Sequence, residues 1–486
     1  MKSSFSLIFG FIVTFSAYSQ ELNTRLELHA CHLSSTSGTQ RLAADCGWLN
    51  VPEDPANPGG ESIKLFVAVV PARAKQAQPD PVTFISGGPG SAATTSFVDW
   101  SAVFDRLRLE RDIVLVDQRG TGKSNPLQCT LPPDLNEYDA QTIRDLAKSC
   151  LAQLPADPRN YTTSVAVKDL DLVRQALGVD QLNVYGISYG TRVALHYLRQ
   201  YPQHTRSVIL DGVAPPELSL GPGIALDAQA AMDHMFARCK ADKACAKNFP
   251  NVEQGFYRIE KRLEKEALSL FLPNPVSGEL ESNRFGPGEF ALAMRLLSYS
   301  PETVALLPLL LQKGYRDDNF QPLAAQATML EQTLADTISA GMHNAVVCSE
   351  DVAFYSDRDY SKSSIRQTYI GLSTLESLIN ICSVWPSGLV DDNFKQPVSS
   401  AKPVLLLSGQ ADPVTPPRYA LQAARTLNNH KHLQGEAQGH GMAPIGCMPR
   451  LMAEFLSTAS FEGWDTSCLD VTEPAPFFTS FNGPEP

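Results

Sequence analysis

The chain contains 486 residues, of which 43% are hydrophobic and 19% are charged, and its formal net charge at pH 7 is −12. These proportions are those of an ordinary globular protein with a large core. The acidic balance argues against nucleic-acid binding, because nucleic-acid-binding proteins present basic surfaces to phosphate.

The first 19 residues predict export. Lys2 supplies a positive end, residues 5–15 are mostly apolar, and Ala17-Tyr18-Ser19 has the small residues of a cleavage site. This order is typical of a secretory signal peptide. A membrane anchor is the alternative, but the apolar run is shorter than the roughly 20 residues that span a bilayer. We therefore expect a protein exported to the periplasm or the extracellular space, with no membrane association once it is mature.

Ten cysteines follow residue 19, and an even number in an exported chain predicts disulfide bonds. Zinc binding is the alternative, but the sequence has no Cys-x-x-Cys pair and no cysteine–histidine cluster at zinc spacing. We therefore expect no metal. The simplest pairing joins neighbours along the chain: Cys31 with Cys46, Cys129 with Cys150, Cys239 with Cys245, Cys348 with Cys382, and Cys447 with Cys468.

Short apolar segments predict the strands. Residues 62–70 alternate apolar and polar side chains, as in a half-buried strand near a sheet edge. The later segments are continuous apolar runs, which suit parallel strands buried on both faces. They are residues 82–85, 113–116, 182–185, 208–210 and 404–407. Helical spacing at 169–177 and 192–201 separates some of them, and this alternation predicts an α/β fold with a mostly parallel sheet.

A glycine-rich loop, Ser86-Gly87-Gly88-Pro89-Gly90, follows the strand predicted at 82–85. In esterases a glycine-rich loop at this place supplies one of the two N–H donors of the oxyanion hole. We assign this donor to the Gly88 amide. A neighbouring glycine, or a turn with only a structural role, is the alternative.

Residues 117–124 read DQRGTGKS, and the final GKS imitates a phosphate-binding loop. A true phosphate-binding loop needs glycine at the position of Asp117. We therefore expect a structural loop beneath the active site, with Arg119 in a buried ion pair.

Residues 182–190 contain the strongest functional signal. An apolar run leads into Gly186-x-Ser188-x-Gly190, and a helical segment follows at once. This is the pattern of a nucleophile elbow, a tight strand-to-helix turn that only glycine neighbours allow. We identify Ser188 as the nucleophile. The Tyr189 amide, at the start of the helix, is then the second oxyanion donor.

The alternation of strands and helices stops after residue 212, and helical spacing dominates up to the strand predicted at 404–407. The clearest helical stretches are residues 225–238, 257–270, 290–311 and 323–342. We interpret this part as a cap inserted between the later strands of the sheet. The predicted organisation is a signal peptide at 1–19, the first part of the core at 20–214, a helical cap at 215–400 and the last part of the core at 401–486.

The late part of the chain supplies an acid and a histidine. Asp412 follows the strand predicted at 404–407, at the sheet edge where α/β proteins build their sites, and His440 lies between two glycines. The order serine, acid, histidine is typical of one architecture with a Ser-His-Asp triad. The alternatives are a turn-forming Asp-Pro and an exposed loop histidine. His430 and His432 are weaker candidates, because no glycines flank them.

Together these segments resemble the proline iminopeptidase/tripeptidyl aminopeptidase family of α/β-hydrolases. The likeness runs from about Cys46 to Cys468, and the size and paired cysteines are closest to the exported tripeptidyl-type branch. Ser86 is a departure, because compact members of the family usually carry histidine there. The segments that carry the likeness are SGGPG at 86–90, DQRGTGKS at 117–124, GISYG at 186–190, DPVTP at 412–416 and GHG at 439–441.

The resemblance implies an α/β-hydrolase fold and a serine exopeptidase that releases residues from the free N-terminus of a peptide. It implies Ser188 as nucleophile, His440 as base, Asp412 as acid, and the Gly88 and Tyr189 amides as oxyanion donors. No cofactor, metal or obligate protein partner is implied.

An aminopeptidase must also hold the ammonium group of its substrate, which requires a carboxylate shielded from water. Members of the family take such acids from the cap. Glu350 and Asp351 are the candidates here, because a disulfide at Cys348 would hold them in place. A solvated acidic pair is the alternative. For the whole chain, the alternatives are an exported carboxylesterase or lipase with the same triad, and a hydrolase-fold binding protein without catalysis.

Overall fold

The structure, a computed structural model, describes residues 25–129, 138–274, 277–356 and 360–485. The predicted signal peptide at 1–19 lies outside the described residues. The strands are β1 (His29–Ser34), β2 (Arg41–Pro52), β3 (Ser62–Val70), β4 (Val82–Ile85), β5 (Ile113–Val116), β6 (Leu182–Ile187), β7 (Thr205–Asp211), β8 (Leu268–Pro273), β9 (Leu280–Phe285), β10 (Val404–Gly409) and β11 (His430–Gly435).

Helices pack on this framework. They are α1 (Ala93–Trp100), α2 (Ala140–Gln153), α3 (Thr163–Ala176), α4 (Tyr189–Gln200), α5 (Ile224–Ala241), α6 (Lys243–Asn248), α7 (Val252–Lys265), α8 (Pro287–Leu297), α9 (Pro301–Asp317), α10 (Gln321–Thr337), α11 (Ala340–Glu350), α12 (Lys362–Ile365), α13 (Ser373–Cys382), α14 (Pro417–Ala424) and α15 (Met448–Thr458).

Within the described residues, nine strands form one sheet in the order β1-β2-β3-β5-β4-β6-β7-β10-β11. The pairs β1-β2, β2-β3 and β3-β5 are antiparallel. All the following pairs in this order, from β5-β4 to β10-β11, are parallel. Every residue of β4, β6 and β10 is buried, as expected for strands covered by helices on both faces. The predicted α/β fold with a mostly parallel sheet is confirmed. Because β6, β7 and β10 are neighbours, the residues after their carboxyl ends meet at one sheet edge.

The edge beyond β3 differs from the prediction. Two further strands, β1 and β2, extend the sheet there, so β3 is the third strand from its end. In β2 one face is exposed, and the strand contains Asp45 and Gly47, which have low strand propensity. Sequence patterning alone therefore did not reveal it.

The segment between β7 and β10 is mainly helical, with one hairpin formed by β8 and β9. The helix predicted at 290–311 is two helices, because Pro301 has no amide hydrogen and disfavours helical backbone at Ser300 before it. The helix predicted at 257–270 ends earlier, at Lys265, and β8 begins shortly after it.

Much of this segment has its own apolar core, in which Met232, Phe256, Phe290 and Leu310 are buried against one another. Helix α11 differs, because its Met342 packs with the helices and strands of the sheet core. We propose that residues 215–400 form a cap on the sheet domain and that α11 connects the two.

Five disulfides join the ten cysteines, each to its nearest neighbour in sequence: Cys31–Cys46, Cys129–Cys150, Cys239–Cys245, Cys348–Cys382 and Cys447–Cys468. Disulfides are typical of proteins in an oxidising compartment, which agrees with the predicted export. Across the described ranges, no helix combines the length and the apolar character needed to cross a bilayer.

Candidate active site

Ser188 lies alone between the end of β6 and the start of α4, with φ 57° and ψ −125°. A non-glycine residue with positive φ costs about 1–3 kcal/mol, so the surroundings must hold it there. The Ser188 amide donates to the Asp211 carbonyl over 2.9 Å, and the Ser188 carbonyl accepts from the Thr191 hydroxyl over 2.6 Å. The serine is thus fixed at a sharp turn and is only partly buried.

Both glycines of the elbow are required for space. A Cβ atom on Gly186 would lie 2.3 Å from the Gly190 carbonyl oxygen, and one on Gly190 would lie 2.3 Å from the Ile85 carbonyl oxygen. Contacts this short with backbone cannot be relieved by moving a side chain. The backbone of the turn therefore packs directly on β4.

We expect Gly190→Ala to lower the free energy of unfolding by about 1–3 kcal/mol or more, because overpacking shifts the backbone. Activity should fall as well, because the same shift moves Ser188. Gly59→Ala is the matched control, since a Cβ there meets no atom within 4 Å. Denaturant unfolding and kcat/KM measure both effects. Equal stability of the two variants would contradict the described elbow.

Asp412 lies on the turn after β10 and is buried. Its Oδ1 accepts from the Val414 and Thr415 amides over 2.8 and 2.9 Å. Its Oδ2 accepts from the Thr415 hydroxyl and from His440 Nδ1, both over 2.8 Å. Because a carboxylate only accepts, His440 Nδ1 carries the proton and Nε2 is left as the basic nitrogen.

The two ionised forms stabilise each other. Burial raises the pKa of Asp412, but His440 and the amides of its own turn outweigh burial, so this pKa is lowered. Burial lowers the pKa of His440, but Asp412 and then Asp211 outweigh it, so this pKa is raised above its usual 6.5. The histidine is therefore a stronger base than a free imidazole.

His440 is placed by groups that surround its loop. Its amide donates to the Tyr299 carbonyl over 2.7 Å, and the two rings lie 5.0 Å apart, edge to face. A Cβ atom on Gly439 would lie 2.2 Å from the Tyr299 carbonyl oxygen, and one on Gly441 would lie 2.8 Å from the Trp100 ring. The flanking glycines let the histidine loop approach both residues.

Asp211, at the end of β7, connects the serine to the histidine loop. Its carbonyl accepts from the Ser188 amide, and its carboxylate accepts from the Met442 and Ala443 amides over 2.7 and 2.9 Å. Gly212 follows, so close to the histidine that a Cβ there would lie 3.0 Å from His440 Cε1. Ser188 and His440 therefore converge on the end of β7.

Sequence reasoning missed Asp211 and Tyr299. A signal existed for Asp211, since it directly follows a buried apolar run at the carboxyl edge of the sheet. No signal existed for Tyr299, because it reaches His440 from a distant part of the sequence.

The loop at 86–90 faces the nucleophile. A Cβ atom on Gly87 would lie 3.0 Å from Ser188 Cβ and 3.6 Å from Ser188 Oγ. Gly88 follows with φ +107°, a conformation that favours glycine. On the other side of the serine, Tyr189 is the first residue of α4, where helix amides point toward an anion. Gly88 and Tyr189 therefore remain the proposed oxyanion donors.

The loop at 117–124 is structural in its contacts. Arg119 is fully buried and binds both carboxylate oxygens of Asp169, over 2.6 and 2.8 Å, which is the ion pair expected for it. Asp117 Oδ2 accepts from the Lys123 amide over 3.1 Å, so a carboxylate of the loop itself binds an amide that a phosphate-binding loop would offer to its ligand.

Glu350 and Asp351 lie together at the end of α11, with side chains that are 0% exposed. Arg192, on α4, binds Asp351 over 2.8 and 3.1 Å, whereas its distance to Glu350 is 3.6 Å. Glu350 accepts instead from the amide and the hydroxyl of Thr163, over 2.6 and 2.9 Å. The Thr163 hydroxyl also contacts the Tyr189 hydroxyl over 2.7 Å, so this buried network reaches the nucleophile elbow.

The charges of this network are unevenly balanced. Asp351 also accepts from the Leu220 amide over 2.8 Å and lies 3.7 Å from Lys395. Glu350 has the more distant cation, and burial, opposed by Arg192, raises its pKa to about 7. Over the described residues, no group of three or more His, Cys, Asp or Glu side chains is arranged to hold a metal ion.

Known proteins share this organisation. Residues 80–443 match the family model described as the alpha/beta hydrolase fold. The chain is similar to the tripeptidyl aminopeptidase of Streptomyces lividans, with 23% identity over 89% of this chain and 84% of that protein. It is also similar to the serine protease Hip1 of Mycobacterium tuberculosis, with 29% identity over 40% of this chain and 41% of that protein.

Among solved structures, that of a proline iminopeptidase from Mycobacterium smegmatis covers 84% of this chain and 96% of its own, with 15% identity and a TM-score of 0.36. The relatives in sequence confirm the resemblance found in the motifs and the prediction of a serine hydrolase. The chain belongs to the α/β-hydrolase fold family.

Proposed function

We propose that the protein is an exported serine exopeptidase that releases an N-terminal residue or a short peptide, of the proline or the tripeptidyl type. The observation that carries this proposal is the 2.8 Å contact between His440 Nδ1 and Asp412 beside the strained Ser188 turn. The similarity to a tripeptidyl aminopeptidase over most of both chains supports the choice of peptide substrates.

In the proposed reaction, Ser188 Oγ attacks the carbonyl carbon of the scissile peptide bond and gives its proton to His440 Nε2. The Gly88 and Tyr189 amides donate to the resulting oxyanion. His440 then returns the proton to the leaving amine, the C–N bond breaks, and an acyl group remains on Ser188. Water, deprotonated by His440, releases this acyl group and regenerates the serine.

Glu350 is the group proposed to attract the substrate ammonium. Of the two adjacent acids, Asp351 is already neutralised by Arg192 at 2.8 Å, whereas Glu350 has no cation closer than 3.6 Å in the described chain. A raised pKa means that its negative charge is incompletely compensated, so an arriving cation would stabilise it. Asp351 would then serve to hold Arg192 in place.

We expect Glu350→Gln to raise KM for free-amine peptides about tenfold, which is the effect of losing one charge-assisted hydrogen bond. The pH dependence has a defined sign. Because the pKa of Glu350 is about 7, its carboxylate takes up a proton as the pH falls through that value, and KM should rise on acidification. The variant has no charge to lose, so this component of the pH profile should vanish.

A short ester without an amine is the control substrate. The pH profile of its hydrolysis depends on the titration of His440 but not on the ammonium contact. Glu473→Gln, at an exposed glutamate, is the control variant. An equal loss of kcat/KM on the peptide and on the ester would indicate that Glu350 only supports Thr163 and Tyr189 and does not bind the ammonium group.

Fluorogenic substrates test the proposed function directly. Aminoacyl, prolyl and Ala-Ala-Pro derivatives with free amines would be compared with their N-acetylated forms and with the short ester. Cleavage of free-amine substrates only, in a Ser188-dependent manner, supports an exopeptidase and shows the length released. Ester cleavage without any peptide cleavage would instead indicate a carboxylesterase.

A further inference from the structure

The cap contains a cavity of about 650 Å³ between α7, α8 and the turn that follows α12. Its lining has charges of both signs, with Glu260 and Glu264 of α7 among the acidic residues and Arg284 and Arg366 among the basic ones. Arg295, near the end of α8, and Tyr369 also line the cavity.

Both of these residues have unused hydrogen-bonding groups. The Nε of Arg295 and the hydroxyl of Tyr369 are buried, and neither has a hydrogen-bond partner in the described parts of the chain. Tyr369 is only 8% exposed. Unpaired polar groups in such positions are costly, so a ligand that supplied the missing partner would stabilise them.

Arg295 also lacks a counter-ion. Among the described residues no carboxylate forms an ion pair with it, and the one partner found for its guanidinium is the Tyr299 hydroxyl, 3.3 Å from Nη2. The fully buried Arg119 and Arg192, by contrast, each bind an aspartate. A partly buried guanidinium without an acid attracts a carboxylate strongly, because it can bind both oxygens.

Arg295 connects the cavity to the catalytic histidine through Tyr299. The Tyr299 hydroxyl contacts Arg295, its ring packs on His440 at 5.0 Å, and its carbonyl accepts from the His440 amide. The positive charge of Arg295 also acts on His440. It lowers the pKa of the histidine, as burial does, whereas Asp412 raises this pKa.

We propose that this cavity is a subsite for a carboxylate on the leaving portion of the peptide, bound by Arg295 and Tyr369. The leaving portion is favoured because His440 must protonate the leaving amine, so that part of the substrate lies on the histidine side of the scissile bond. The carboxylate comes from the C-terminus of a short peptide or from an acidic side chain just after the cleavage point. This assignment rests on the proposed exopeptidase function.

Two pairs of peptides with free N-termini separate these sources. The first pair is Ala-Ala-Pro-Ala with a C-terminal carboxylate or a C-terminal amide. The second pair is Ala-Ala-Pro-Asp amide and Ala-Ala-Pro-Asn amide. For each pair the kcat/KM ratio would be measured with the wild type, Arg295→Gln and Tyr369→Phe, with Arg258→Gln, at an exposed arginine of α7, as the control.

The wild type should favour the carboxylate in at least one pair by about tenfold, since one charge-assisted contact is worth about that factor. Arg295→Gln should bring this ratio close to one, Tyr369→Phe should reduce it in part, and Arg258→Gln should preserve it. The pair that shows the effect identifies the source of the carboxylate. A wild type without preference, or a preference that survives in Arg295→Gln, would overturn the proposal.

Binding to the Ser188→Ala protein separates failure of the subsite from failure of the proposed function. If the wild type cleaves the amidated peptides but shows no carboxylate preference, the exopeptidase stands and the subsite is wrong. If no peptide is cleaved, calorimetric Kd values of the same pairs still decide the subsite. Tighter binding of the carboxylate form that is lost with Arg295→Gln supports it, and equal Kd values contradict it.

Discussion

Ser188→Ala should lower kcat/KM for a free-amine peptide about 10⁴- to 10⁶-fold while leaving the fold intact. The hydroxyl is the only group of this residue that the proposed reaction uses. The structural contacts of Ser188 involve its backbone. Its amide donates to the Asp211 carbonyl, and its carbonyl accepts from the Thr191 hydroxyl. Alanine keeps both contacts, so the loss should come from chemistry and not from stability.

The matched control is Ser457→Ala, at an exposed serine whose backbone, and not its hydroxyl, contacts Arg206. Circular dichroism and thermal unfolding should be the same for both variants. Peptide hydrolysis by Ser188→Ala within tenfold of the wild type would remove Ser188 from the role of nucleophile.

Asp412→Asn should lower kcat/KM about 10⁴-fold near neutral pH. Asparagine keeps one acceptor, and the Val414 and Thr415 amides, which donate to Oδ1, fix that acceptor on their side. Its NH₂ group would then replace Oδ2 and face His440 Nδ1. Two donors cannot pair, so the histidine would move its proton to Nε2 and lose its function as a base.

This variant also carries a prediction for pH. Asp412 is the main group that raises the pKa of His440 against the effect of burial, so the acid limb of the remaining activity should move to lower pH. Asp470→Asn, at an exposed aspartate, is the control. If Asp412→Asn kept both the rate and the pH profile, another acid would have to orient His440.

Much of the fold was predictable because its central strands have one simple property. Parallel strands covered on both faces need continuous apolar runs, and residues 82–85 and 113–116 were predicted with the bounds that β4 and β5 have. Strands β1 and β2 were missed because they lie at the exposed end of the sheet, where polar side chains and a glycine interrupt the apolar runs. The hairpin in the cap was missed for a similar reason, since most of its residues are exposed.

The candidate site also contains residues that the sequence reveals and residues that it does not. Ser188, Asp412 and His440 stand in local patterns of glycine and turn residues, because their own backbones must adopt special shapes. Residues that act on the site from a distance leave no such local mark. Tyr299 supports His440 from within the proposed cap, far away in sequence, and Arg192 meets its acids only after folding.

A covalent label shows directly whether Ser188 is the nucleophile. The wild-type protein would be treated with a fluorophosphonate, which reacts with activated serines, and the modified peptide would be identified by mass spectrometry. We expect one adduct, on Ser188, that forms in parallel with the loss of peptide hydrolysis and forms more slowly in the presence of a free-amine peptide substrate. Loss of hydrolysis with Ser188 unmodified, or full hydrolysis after its complete modification, would exclude Ser188 as the nucleophile.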